Sequence, residues 1–130
     1  MDIKIEGRVV RGDGYGKKLG FPTANLDRRE YSRKKMKVDL GVYAGTATLP
    51  GGQICKAGIV IGPLDKRKLP KLEAYLIGFS GSLYGQKIIL HLYKFLRPFR
   101  SFKDESGLKR QIAEDVRRVE KLVAVNDVSR

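Results

Sequence analysis

The 130-residue chain has a single cysteine, Cys55, and a lone thiol closes no internal disulfide. Nothing in the sequence gives zinc-ligand spacing either. Disulfide frameworks and structural zinc sites are therefore excluded, and a reducing, cytoplasmic setting is expected. Long apolar runs are also missing. Stretches such as Ile88 to Leu92 fall far short of the roughly 20 residues that span a bilayer. The start, Met1-Asp2-Ile3-Lys4-Ile5-Glu6, has no basic segment leading into an apolar one, which argues against a secretory leader. Repeats and low-complexity tracts are absent. Acid is scarce: 14 Asp and Glu face 27 Lys and Arg, a formal net charge of +13. A field of that sign favours nucleotides, nucleic acid or an acidic membrane surface without choosing among them. A solvated basic surface gives the same number. The densest cluster, Arg28, Arg29, Arg33, Lys34, Lys35 and Lys37, reads as a charged loop.

What is present suits one globular domain over 1–130, with 42% hydrophobic and 32% charged residues. Two textures meet near residue 100. Before it, short β-type runs alternate with glycine and proline: Ile3 to Val10, Val42 to Leu49, Ile54 to Ile61, Leu72 to Phe79 and Lys87 to Phe95. Pro50-Gly51-Gly52 and Gly81 to Gly85 mark tight links. Five or six strands without helical crossovers predict a mainly β fold, an antiparallel barrel or sandwich over about 1–100. After it, Leu108, Ile112, Val116, Val119 and Val123 fall on one helical face. Asp104 and Glu105 suit a helix N-terminus, and Arg117, Arg118 and Lys121 suit its other end. The predicted helix runs over about 104–124 and packs its stripe on the barrel.

The most concentrated chemical signal is Gly12-Asp13-Gly14-Tyr15-Gly16-Lys17-Lys18-Leu19-Gly20-Phe21-Pro22-Thr23-Ala24-Asn25. Its glycines allow sharp turns and a backbone cradle for phosphate, with Lys17 or Lys18 adding charge. Pro22 stands where a dinucleotide fingerprint would open a helix, and no Gly-Lys pair leads into Ser or Thr as in a P-loop. Pro22 stiffens the segment instead. Thr23 and Asn25, two residues apart, face the same way if it is extended. Such neutral hard oxygens suit Mg²⁺, which takes further ligands from water and substrate phosphates; satisfying nearby backbone is the simpler use of the same groups.

The loop running into Leu-Gly-Phe-Pro-Thr-Ala-Asn resembles the signature of riboflavin kinases of the ATP-dependent bacterial and eukaryotic type. Further elements follow in the family's order: Gly41-Val42-Tyr43-Ala44, Glu73 in a strand, Phe79, Leu83-Tyr84-Gly85, Leu96-Arg97-Pro98, Phe102, and Leu108 to Asp115. The likeness spans about 6–120. It implies a six-stranded antiparallel Greek-key barrel with a C-terminal helix. It implies transfer of the ATP γ-phosphate to the ribityl 5′-hydroxyl of riboflavin, giving FMN and ADP. By the same resemblance Thr23 and Asn25 bind Mg²⁺ and nucleotide phosphate, Gly12 and Lys17 contact the nucleotide, and Leu76, Gly78 and Tyr84 line its site. Glu73 falls on the catalytic carboxylate, while Arg97, Arg100 and Phe102 match the loop closing over the flavin. Taken by itself, Glu73 reads as a solvent-facing strand residue; the resemblance makes it the base that takes the alcohol proton.

The sequence departs from the family at four places. Gly62 to Pro70 is shorter and more basic than the usual loop before the carboxylate, Phe99 replaces an acid, and Gly45 and Gly78 stand where other residues are usual. No adenylyltransferase segment like that of bifunctional relatives is expected before residue 1, so the expected product is FMN; the resemblance implies a monomer. Two alternatives remain: a basic barrel that binds nucleic acid, and a degenerate barrel that binds flavin or nucleotide without turnover. Against the first, no basic strand carries regularly interleaved aromatics, and nucleic acid is not an expected partner.

Overall fold

Alternation of apolar and polar side chains gives each strand one face for a common interior, and six such strands close on themselves. The computed structural model describes residues 3–12 and 23–123. Its elements are β1 (Ile3–Val10), β2 (Thr23–Leu26), α1 (Arg29–Arg33), β3 (Gly41–Thr48), β4 (Ile54–Leu64), β5 (Pro70–Leu76), β6 (Lys87–Arg97) and α2 (Glu105–Leu122). Every strand pairing is antiparallel, and the order around the closed barrel is β1-β2-β5-β4-β3-β6. β3, β4 and β5 form a meander and β6 returns beside β3, which is a Greek key.

The interior is built from Ile5, Val9, Ala24, Leu26, Tyr43, Ile59, Ile61, Leu72, Ala74, Ile88, Leu90 and Leu92. These occupy alternate positions, so their neighbours face outward. On one side that outer face is itself buried, because Val42, Ala44, Val60 and Leu96 pack against Val119 and Val123 beyond and within α2. β3 and β6 shift register twice along their length. A β-carbon at Gly45 would collide with the His91 carbonyl oxygen there, which accounts for glycine at that position.

Several boundaries differ from expectation. The basic cluster after Arg28 is not all loop: Arg29 to Arg33 form a helical turn, with Arg33 paired to Glu30 at 2.7 Å. The strand from Leu72 begins at Pro70 and stops at Leu76, because Gly78 takes φ +82° and Phe79 N–H bonds back to the Leu76 carbonyl. β4 continues to Leu64 and β6 to Arg97. α2 starts one residue after its cap, Asp104, whose side chain accepts from Gly107 N–H at 2.8 Å. Its buried line is Ile112, Asp115 and Val119, with an aspartate where the apolar pattern points to Val116.

Candidate active site

β2 holds only four residues, yet it positions the site. Ala24 and Leu26 point into the barrel, so Thr23 and Asn25 point out. β2 pairs with β5 in a register that sets Asn25 opposite Glu73 and Thr23 opposite Tyr75. All four lie on the same outer face. There the Thr23 hydroxyl donates to Glu73 Oε2 at 3.0 Å, and Lys71 Nζ stands 3.8 Å from the same oxygen. Glu73 is only 9% exposed. The solvent-facing reading of its strand position is thus wrong: the outer face here is covered by the chain leading to α2 and by α2 itself.

Two cavities meet at this pair. One, of about 430 Å³, is lined by Gly12, Thr23, Asn25, Leu76, Phe79 and Tyr84 among others. A β-carbon at Gly12 would run into the Asn25 amide, so glycine allows the close approach of backbone and side chain. Tyr84 is exposed, and the Arg11 guanidinium lies over its ring at 5.0 Å from the centroid. The second cavity, about 190 Å³, is lined by Glu73, Lys71, Tyr75, Arg97, Arg100 and Phe102, with Gly62, Pro63 and Phe99 also in its wall. Arg100 stacks over Phe102 at 5.1 Å. Thr23 and Glu73 therefore join a wall of one cavity to a wall of the other.

The expected residues divide accordingly. Gly12, Thr23, Asn25, Leu76 and Tyr84 come together around the larger of these two cavities, and Glu73, Arg97, Arg100 and Phe102 around the smaller. Gly78 is in the turn after β5 and is not among the lining residues of either. Lys17 lies outside the described residues, as does most of the glycine-rich loop. The short basic segment after Gly62 folds onto itself rather than over the site. Asp65 accepts from the backbone N–H groups of Arg67 and Leu69 and pairs with Arg28 at 2.6 Å. The Leu69 backbone bond first, then the Arg28 side chain and the Arg67 backbone bond, hold its carboxyl below the usual carboxylate range.

Asp115 and Gln111 were not anticipated here. Asp115, 1% exposed, accepts from Arg97 through both carboxylate oxygens and from Gln111 Nε2 at 3.0 Å. The signal was legible, since an acid three residues after Ile112 and four before Val119 falls on the apolar stripe. Arg11, next to Gly12, carried no such pattern.

As for a metal, no cluster of three or more His, Cys, Asp or Glu occurs among the described residues. The donors present are a hydroxyl and an amide with one carboxylate beside them. That set fits a hard divalent ion whose remaining ligands come from water and phosphate, and does not fit zinc.

Comparison with known proteins points the same way. A family model described as "Flavokinase: Riboflavin kinase" matches residues 1–123. The riboflavin kinase of Mus musculus is 32% identical over 119 residues, covering 88% of this chain and 77% of that protein. A bifunctional riboflavin kinase/FMN adenylyltransferase of Buchnera aphidicola is 36% identical over 123 residues, 92% of this chain. The chain spans 38% and 42% of the length of the first two bifunctional relatives. Among solved structures, riboflavin kinase from Trypanosoma brucei superposes with a TM-score of 0.64 at 26% identity, covering 92% of this chain and 78% of that one.

Proposed function

The chain belongs to the riboflavin kinase family, and on that premise we propose that it transfers the ATP γ-phosphate to the ribityl 5′-hydroxyl of riboflavin, releasing FMN and ADP. The observation that carries this reading is the 3.0 Å contact between Thr23 and Glu73 at the meeting of two cavities. Phosphoryl transfer needs a donor and an acceptor held in line, with charge neutralised at the phosphate and one alcohol proton removed.

The larger cavity takes the nucleotide. Its wall brings Gly12 backbone and the Thr23 and Asn25 oxygens to the phosphates, with Leu76 and Tyr84 towards the base. Lys17 is assigned to the same phosphates. Thr23 and Asn25 would hold Mg²⁺, which supplies Lewis-acid neutralisation of the phosphate charge when bound. The smaller cavity takes the reacting end of riboflavin, with Arg100 and Phe102 set to cover the flat ring.

Glu73 accepts the 5′-hydroxyl proton as that oxygen bonds to the γ-phosphorus, and the bond to the β-γ bridging oxygen breaks to leave ADP. The carboxylate is largely buried, and the Lys71 ammonium stands 3.8 Å from it. The test is direct. Protein incubated with riboflavin, ATP and Mg²⁺ and separated by chromatography should yield FMN. If flavin binds and no FMN forms, the chain is a binding barrel without turnover and the proposal fails.

A further inference from the structure

Arg97 stands at the last position of β6, where the chain leaves the barrel for 98–104 and α2. Its guanidinium is already engaged. Nε donates to Asp115 Oδ1 at 3.0 Å, one terminal nitrogen donates to Asp115 Oδ2 at 2.7 Å, and the other donates to the Pro98 carbonyl at 3.2 Å. This is a two-pronged arginine–carboxylate pair, the geometry that restrains orientation best. Gln111 adds a third donor to the carboxylate, and Arg118 from the next turn donates to the Leu96 carbonyl at 3.3 Å. α2 thus grips β6 at Leu96 and at Arg97, immediately before the segment that carries Arg100 and Phe102.

The arrangement is dry on the helix side. The Asp115 side chain is 2% exposed and that of Arg97 16%. Around them the interface is apolar, with Val42, Val60, Ile112 and Val119. A buried ion pair adds little net stability over an apolar pair of similar volume, but it fixes geometry. The fold has no need of a charge here to hold α2 down, because Val119 and Val123 already do so. What the pair uniquely constrains is the exit direction of the chain at Pro98, and with it the wall of the smaller cavity.

We infer that Asp115 is a positioning residue for the acceptor substrate: acting through Arg97, it sets the 98–102 segment so that Arg100 and Phe102 face the cavity beside Glu73. Arg97 then works chiefly as the arm of this clasp rather than as a ligand of the ring. The inference rests on the proposed riboflavin kinase activity. It has a consequence that a general structural role lacks, because the nucleotide cavity shares none of these groups. Loss of the clasp weakens flavin and leaves the nucleotide alone.

The test is Asp115→Asn, which keeps the shape and removes the charge. Riboflavin affinity is read by quenching of flavin fluorescence and by KM, alongside KM for ATP and kcat. The expected result is a rise of roughly tenfold in Kd and KM for riboflavin, with ATP KM and saturated kcat within about twofold of wild type. The double variant Arg97→Met/Asp115→Met replaces the pair by apolar groups and guards against a single variant that fails to fold. Its Tm should match or exceed that of Asp115→Asn while flavin affinity stays low. Flavin affinity that recovers together with Tm would overturn the inference, as would an unchanged Kd in folded Asp115→Asn. Equal losses at both substrates would overturn it too. A wild-type chain that neither binds nor phosphorylates riboflavin would remove the activity itself. Wild-type turnover with an indifferent Asp115→Asn would remove only the clasp.

Discussion

Glu73 is a carboxylate with one face towards Thr23 and the other towards a cavity lined by two arginines and two phenylalanines, and this two-sidedness gives it a use. Its neighbour Thr23 lends itself to a separate test. Thr23→Ala removes the hydroxyl that both meets Glu73 and is assigned to the metal, so Mg²⁺-nucleotide affinity should drop by about tenfold, the scale of a hydrogen bond to a charged group. Titration curves that superpose on wild type would reject the metal assignment. Cys55 is expected to be idle. Burial pushes its thiol up to about 11, so little thiolate exists at neutral pH. An Ellman titration at pH 8 should find no rapidly reacting thiol in the folded protein and one after unfolding; rapid native reaction would contradict the burial. At this scale Thr23, Asn25 and Glu73 were legible as residue types in a pattern. Their contact was not, because it depends on the β2–β5 register across 50 positions of chain, which no local pattern encodes.

Among the elements, α2 was the easiest to read, since five apolar residues repeat at helical spacing over four turns. Its N-terminus makes a clean prediction. Asp104 caps Gly107 N–H, so Asp104→Ala should cost about 1 kcal/mol and lower Tm without altering KM for ATP. No change in Tm would mean that the cap contributes nothing. β2 was readable only as a stiff extended segment, because four residues are too few to display a period. α1 was hidden for a different reason. Its charges, Arg29, Glu30 and Arg33, read as solvated loop, and Tyr31, the one buried residue of the turn, sets no repeat by itself. The end of β5 was overrun because Ile77 and Phe79 look strand-like, whereas the positive φ of Gly78 turns the chain away after Leu76.

For the molecule as a whole, the excess of base was read from composition but its placement was not. The structure gathers Arg28, Arg29, Arg33 and Arg67 around an open cleft of about 540 Å³, larger than either cavity at Glu73 and containing none of the expected site residues. In that cleft Arg28 reaches Asp65 and the Leu69 carbonyl. Alkaline stability is also a property of the whole fold. Burial raises the Cys55 thiol from 9.0 to about 11, and burial followed by the nearby Asp39 raises the Tyr43 phenol above its ordinary 10.0. Unfolding then releases protons that the native state retains. The stability tied to Cys55 is complete below pH 9, declines as the unfolded thiol ionises, and is lost by about pH 11, with Tyr43 adding to the loss at the upper end. Denaturant midpoints that stay constant from pH 8 to 11 would contradict both shifts.

The central claim is that Glu73 takes the acceptor's proton while Thr23 and Asn25 hold the donor's phosphates. Replacing Glu73 by Gln keeps the shape and removes the base, and the decisive quantity is kcat for FMN formation at saturating riboflavin and Mg²⁺-ATP. The account predicts a loss of about 10²-fold or more, with flavin still bound. Turnover as fast as wild type would contradict it.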